Sequence, residues 1–171
     1  MGHAREHGYP VPRVDEARPD GLVLERIDGP TMGEELARRP WHAAEYATML
    51  AQLHRWLHVI PYEGRRLIHL DLHPLNVLMS PRGPVVIDWT NARSGDPAQD
   101  VALTWLICET SAGLRGRLFA HLFQARVGSE IIDRGLPDAI AFRLDDPHVT
   151  DPEREMVRRA VRRRAVRARF E

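Results

Sequence analysis

The sequence contains no lysine: all 24 of its basic residues are arginine. Chemistry that requires a lysine is therefore beyond these 171 residues. Cys108 is the single cysteine, which rules out an internal disulfide and a cysteine-based zinc cluster and suits a reducing compartment. No apolar run approaches the roughly 20 residues that a membrane-spanning helix needs. The segment Met1-Gly2-His3-Ala4-Arg5-Glu6-His7 has charges and histidines where a signal peptide would be apolar, so the expectation is a cytoplasmic protein with no membrane partner. Arginines are balanced by 24 acidic residues, and a net charge of zero gives no overall bias toward nucleic acid. What is present, 43% apolar and 28% charged residues, is the composition of a globular chain. A chain near 150 residues buries roughly 70% of its unfolded surface, enough for one ordinary core.

Gly8-Tyr9-Pro10-Val11-Pro12 reads as an extended connector, because each proline fixes its own φ and moves the preceding residue out of the helical region. Leu22 to Ile27 reads as a strand, entered through Asp20-Gly21 and left through Asp28-Gly29-Pro30. Thr31-x-x-Glu34 is a capping-box pattern for a short helix to about Arg38. After Pro40, the apolar residues Tyr46, Leu50, Leu53 and Leu57 fall on one face of a long helix. Further on, Asp96-Pro97 reads as an N-cap and first-turn proline, with Val101, Trp105 and Cys108 on the apolar face toward Gly113. Leu118, Phe119, Leu122 and Phe123 mark another helix, and Pro137 to Leu144 a short one. Two or three short strands among helices predict an α+β fold, mostly α. No linker divides it, so residues 1–171 are expected to form a single domain.

The chemistry is concentrated between His69 and Asp100. His69-Leu70-Asp71-Leu72-His73-Pro74-Leu75-Asn76 is followed by the apolar run Val77-Leu78-Met79, a turn at Ser80-Pro81-Arg82-Gly83, and Pro84-Val85-Val86-Ile87-Asp88. Two apolar runs around a Pro-Gly turn predict a β-hairpin with its midpoint near Arg82, equally far from Asn76 and Asp88. Closing it would bring an amide oxygen and a carboxylate together at the open end. That pair is a hard-oxygen site suited to Mg²⁺. Asp71, just before the first strand, is placed to accept a proton from an attacking hydroxyl, and phosphoryl transfer needs these parts.

The pattern His-x-Asp-x-x-x-x-Asn, then Ile-Asp-Trp, then Gly95-Asp96-Pro97-Ala98-Gln99-Asp100 resembles the catalytic segment of aminoglycoside phosphotransferases, choline kinases and related small-molecule kinases. The likeness runs from about His7 to Trp105. It implies a protein-kinase-like C-lobe and an ATP- and Mg²⁺-dependent kinase acting on a hydroxyl of a small molecule. It also implies Asp71 as catalytic base, Asn76 and Asp88 as metal ligands, His69 as a structural residue of the catalytic loop, and Asp100 as a brace on that loop. Leu24-Glu25-Arg26-Ile27-Asp28-Gly29 is similar to the interlobe hinge, which implies that Glu25, Arg26 and Ile27 contribute backbone contacts to adenine.

These kinases begin with a glycine-rich strand-turn-strand and a strand lysine, and neither occurs in this sequence. The expectation is an N-terminally truncated domain, with about 1–28 a remnant of the N-lobe and hinge and 29–171 the C-lobe. An alternative is a catalytically inactive lobe that binds a ligand or partner. A site of two histidines and one carboxylate for iron, from His69, Asp71 and His121, would need a mostly β jelly roll, which the helical patterns oppose. His54, His58 and His121 read as packed or exposed side chains, Trp89 and Trp105 as core, Trp41 as either, and Cys108 as a buried apolar group. Thr150-x-x-Glu153 caps a helix with Arg154, Arg158, Arg159, Arg162, Arg163, Arg164, Arg167 and Arg169, and with an apolar stripe of Val157, Val161, Ala165 and Ala168. No aromatic is interleaved with the arginines, so the helix is expected to dock on the protein and not on nucleic acid.

Overall fold

The fold is described from a computed structural model covering residues 1–18 and 21–167, with the side chain of Arg167 excepted. Asp20, Ala168, Arg169 and the Arg167 side chain, which figured in the sequence reading, lie outside the described residues. The chain divides into two compact units, Met1–Pro97 and Ala98–Glu171. Helices dominate, with small antiparallel sheets in the first unit, so the α+β expectation holds. Among the described residues no helix is long and apolar enough to cross a membrane.

The first unit opens with a short helix α1 (Gly2–Glu6), then strands β1 (Val14–Arg18) and β2 (Gly21–Leu24) paired antiparallel around a bulge between Val14 and Glu16. β2 ends three residues short of the predicted Ile27, and β1 was not foreseen. Glu25 still donates its amide to the Arg13 carbonyl at 2.9 Å, but no ladder continues beyond it. Helix α2 (Met32–Arg38) carries the predicted capping box: Glu34 N–H donates to Thr31 Oγ1 at 3.1 Å, and Thr31 N–H donates to Glu34 Oε2 at 2.8 Å. A 3₁₀ turn (Pro40–His42) leads into α3 (Ala43–Leu57), whose Tyr46, Leu50, Leu53 and Leu57 are all buried, as their spacing requires.

After α3 come β3 (Pro61–Tyr62) and β4 (Arg65–Ile68), then a 3₁₀ turn (Pro74–Asn76), the hairpin β5 (Val77–Ser80) and β6 (Gly83–Val86), and β7 (Arg93–Gly95). β3, β4 and β7 form a three-stranded sheet in that order. The β3–β4 turn was missed because Glu63 and Gly64 hold φ of 44° and 76° without the Asn-Gly or Asp-Gly pair that usually announces such a turn. The β5–β6 hairpin was foreseen, but its register is displaced: Val77 pairs with Val86 and Ser80 with Gly83. Asn76 therefore faces Ile87, whose N–H donates to the Asn76 carbonyl at 3.0 Å. Asp88 lies one residue beyond the predicted pairing.

In the second unit, α4 (Pro97–Thr110) is buried nearly all round from Ala98 to Cys108. Burial pushes the Cys108 thiol up to about 12, which makes it a packed apolar group and no nucleophile. Helix α5 (Gly113–Val127) buries Phe119 and Phe123 while Leu118 stays exposed. Helix α6 runs from Ser129 to Asp145 with Pro137 inside it, twice the predicted length. A side chain at Gly135 would collide with the Ala98 backbone, so close packing of α6 on α4 holds the helix through the proline.

Helix α7 (Asp151–Arg167) is docked by its arginines. Arg163 reaches Glu109 at 2.9 Å, and Arg164 bonds Asp133 at 2.6 Å and Gln124 at 2.8 Å while lying 4.7 Å over the Trp105 ring. Arg154 caps α6 through the carbonyls of Leu144 and Asp146. The helix thus docks on the protein as expected, but its buried apolar residues are Val157 and Ala160, and Ala165 is exposed.

One backbone approach in the first unit sets where the hairpin sits. Gly29 has φ of 147°, and a Cβ there would overlap the Met79 carbonyl, while Met79 N–H donates to the Pro30 carbonyl at 2.8 Å. Gly29→Ala should therefore destabilise by about 2–3 kcal/mol, combining backbone strain with a steric clash. Gly64→Ala, where φ is also positive but the space is open, should cost only about 1 kcal/mol. Urea unfolding of the two variants checks the difference.

Candidate active site

The site is built where β4 runs into the loop 69–76 and the hairpin closes beside it. Leu70, buried at 1% exposure, holds φ of 61° and turns the chain out of β4. A left-handed leucine costs on the order of 1 kcal/mol and persists only where packing enforces it. The next residue is Asp71. Its carboxylate accepts from Asn76 Nδ2 at 2.9 Å, and the same amide donates to the Asp71 carbonyl at 2.9 Å. Both partners are acceptors, so the amide nitrogen must face Asp71. Asn76 is 9% exposed, and its orientation commits Oδ1 to the other side.

His73 supplies the second hold. Its Nδ1 accepts from the Leu75 N–H at 3.2 Å, which puts the ring proton on Nε2, and Nε2 lies 3.3 Å from Asp71 Oδ1. Both carboxylate oxygens of Asp71 are thus oriented by neighbours within the loop, while its side chain keeps 24% of its surface open. The sequence reading passed over His73. Its position two residues after Asp71 and before a proline was the available signal, since a histidine there can cap the 3₁₀ turn and still reach back.

His69 is fully buried, donates Nε2–H to the Ile87 carbonyl at 3.1 Å, and meets the Trp89 ring edge-on at 4.8 Å. Trp89 is itself fixed by Nε1–H donating to the Val86 carbonyl at 3.0 Å. These contacts tie the start of the loop to the end of β6, the strand that delivers Asp88. Asp88 is exposed with φ of 59°, and its Oδ1 accepts from Thr90 Oγ1–H at 2.9 Å. Left-handed backbone at Asp88 turns the chain where the ladder stops, so the one-residue displacement of the register is absorbed at this residue. Thr90 is a second partner that sequence reasoning did not single out.

Glu25, Arg26 and Ile27 follow β2. The Glu25 carboxylate pairs with Arg82 Nη2 at 3.2 Å, joining this segment to the turn of the β5–β6 hairpin. Arg26 pairs with Asp28 in solvent at 3.0 Å. The 25–27 segment thus lies by the turn end of the hairpin, and Asn76 and Asp88 by the open end, one strand or roughly 13 Å away. Gly33 of α2 leaves room for the Leu75 side chain, which seats α2 against the loop. Asp100, fully buried, belongs to the first turn of α4. His54 is buried and His121 exposed, Trp105 is buried, and Trp41 is 74% exposed.

The donor set at the open end, an amide oxygen fixed by its own nitrogen and an exposed carboxylate, fits a small hard cation such as Mg²⁺. A group that only filled space would not need that orientation. Asn76→Ala removes both donations to Asp71 and should lower stability by about 1–3 kcal/mol, because two part-buried acceptors lose their donor. Urea unfolding measures it, and Asn76→Asp, which cannot donate when ionised, should not restore the loss.

Comparison with known proteins gives the family and a likeness of fold. Residues 11–131 match the model of the family described as phosphotransferase enzyme family. No curated protein matches the chain. Among solved structures, choline kinase LicA from Streptococcus pneumoniae is similar over 94% of this chain and 76% of that one, with 18% sequence identity and a TM-score of 0.52. That likeness is one of fold. The match to the family model spans the loop, the hairpin and the start of the second unit, and on it the chain belongs to the phosphotransferase enzyme family.

Proposed function

We propose that the chain carries the catalytic centre of a kinase that transfers the γ-phosphoryl group of Mg²⁺-bound ATP to a hydroxyl of a small molecule. The observation that carries this is the Asp71 carboxylate, held at both oxygens by Asn76 and His73 yet open to solvent. A general base must be oriented before its proton arrives, and such orientation is what a loop with a left-handed Leu70 and a bonded Asn76 provides.

Asn76 Oδ1 and the Asp88 carboxylate are the residues that would hold magnesium. Bound there, the metal would neutralise phosphate charge. Asp71 orients the acceptor hydroxyl and takes its proton. Thr90 keeps the Asp88 carboxylate directed, and His69 keeps the loop at the end of β6. Asp100 has the structural role that the family resemblance implies. Glu25, Arg26 and Ile27 contribute backbone contacts to the base of the nucleotide, and because the Glu25 amide already serves Arg13, those contacts fall to the Glu25 carbonyl and to the backbone groups of Arg26 and Ile27. Among acceptors, choline, named for the similar structure, and aminoglycosides are the first alcohols to try.

Asp71→Asn should lower turnover by about 10²- to 10⁴-fold, the range typical of losing a general base, while nucleotide affinity stays close to wild type. Asp88→Ala should act chiefly on Mg²⁺-dependent ATP binding. Calorimetric titration with ATP, with and without Mg²⁺, and phosphate transfer to the acceptor panel separate the two effects. Full turnover in Asp71→Asn would remove the aspartate from its role. Equal ATP affinity in Asp88→Ala would do the same for the metal site.

A further inference from the structure

The hairpin of β1 and β2 is exposed at every residue of its two strands. Among the described residues no third strand pairs with it, and a two-stranded hairpin alone in water is marginally stable at best. Its two edges differ. β1 carries Asp15, Glu16 and Arg18, and the extra residue of its bulge breaks the spacing of its outer hydrogen-bonding groups. Charges and bulges are devices that keep a sheet edge from pairing. β2 reads Gly21-Leu22-Val23-Leu24 and has neither.

Main-chain direction decides which groups β2 offers. Glu25 N–H points to β1, where it meets the Arg13 carbonyl at 2.9 Å. Alternation along an antiparallel strand then turns the N–H and C=O of Val23 toward β1 as well, and those of Leu22 and Leu24 outward. The side chains of these two leucines, 58% and 39% exposed, share one face, with Val23 on the other. We propose that β2 pairs antiparallel with β2 of a second copy of this chain, about a two-fold axis through Val23. Leu22 then lies opposite Leu24 of the other copy, so the outward N–H and C=O groups of both leucines find partners. The leucines of the two strands form one apolar cluster on that face. Glu25, paired with Arg82 at 3.2 Å, falls opposite Gly21, so no like charges meet. Because the β1 edge is blunted, the pairing closes at two chains.

Sedimentation equilibrium of the full chain, run from about 1 µM to about 1 mM, reads the association. Four residues a side fall short of the roughly 1,000 Å² of a stable complex, so the dimer should form with a dissociation constant of about 10–500 µM. Leu22→Lys combined with Leu24→Lys sets lysines opposite each other and should weaken it by at least about 10-fold. Both positions are exposed, so the far-UV spectrum should not change. Leu118→Lys, at an exposed leucine of α5, should dimerise as wild type does. Mild oxidation reads the register. Val23→Cys sets its thiols across the two-fold, with Cα atoms about 4.5 Å apart, and should give a disulfide-linked dimer. Leu22→Cys leaves its Cα atoms roughly 9 Å apart and should not, and Cys108 is buried away from the hairpin surface. A chain that stays monomeric throughout, association unchanged by the paired lysines, or Leu22→Cys cross-linking as readily as Val23→Cys would overturn the proposal.

Discussion

The side-chain amide of Asn76 is the contact on which the site depends. Its nitrogen donates to two oxygens of Asp71, while its main-chain carbonyl accepts from Ile87. One residue therefore joins the loop after β4 to the end of β6. A buried amide bonded on several sides in a low-dielectric setting is costly to misplace, so it selects one arrangement of loop and hairpin against its alternatives.

Two left-handed residues, Leu70 and Asp88, stand at the entrances to this arrangement. Neither is glycine, so the surrounding packing must offset the strain. The buried His69, bonded to the Ile87 carbonyl and set against Trp89, supplies that packing on one side. Gly29 and Gly33 supply space on the other, letting Met79 and Leu75 come close. In the second unit the same economy appears with different chemistry. Gly135 admits the Ala98 backbone, and Arg154, Arg163 and Arg164 turn a strongly basic helix into a docked one by spending their charge on carbonyls, carboxylates and an aromatic face.

Features legible in the sequence were those set by local rules. Thr31 and Glu34 predicted their own capping box, the spacing of Tyr46, Leu50, Leu53 and Leu57 predicted a buried face, and the Ser80 to Gly83 turn predicted a hairpin. The candidate site residues stand in a spaced motif, and that motif pointed to the family that the family-model match shows. β1, β3, β4 and β7 were not visible, because strands of two to five residues gain their stability from partners distant in sequence. Continuation of α6 through Pro137 was hidden for a similar reason, since burial against α4 offsets a missing hydrogen bond.

The sequence by itself determined which residue types the site could use: a carboxylate, an amide and a second carboxylate at set intervals, with no lysine among them. Tertiary structure decided how those groups are held. The register placed Asn76 opposite Ile87 and left Asp88 to a left-handed turn. The His73 ring, whose role no spacing announced, was fixed by a backbone N–H to face Asp71. The physical reason is that hydrogen-bond direction depends on where the chain turns, and those turns are enforced by packing between segments that are remote in the sequence.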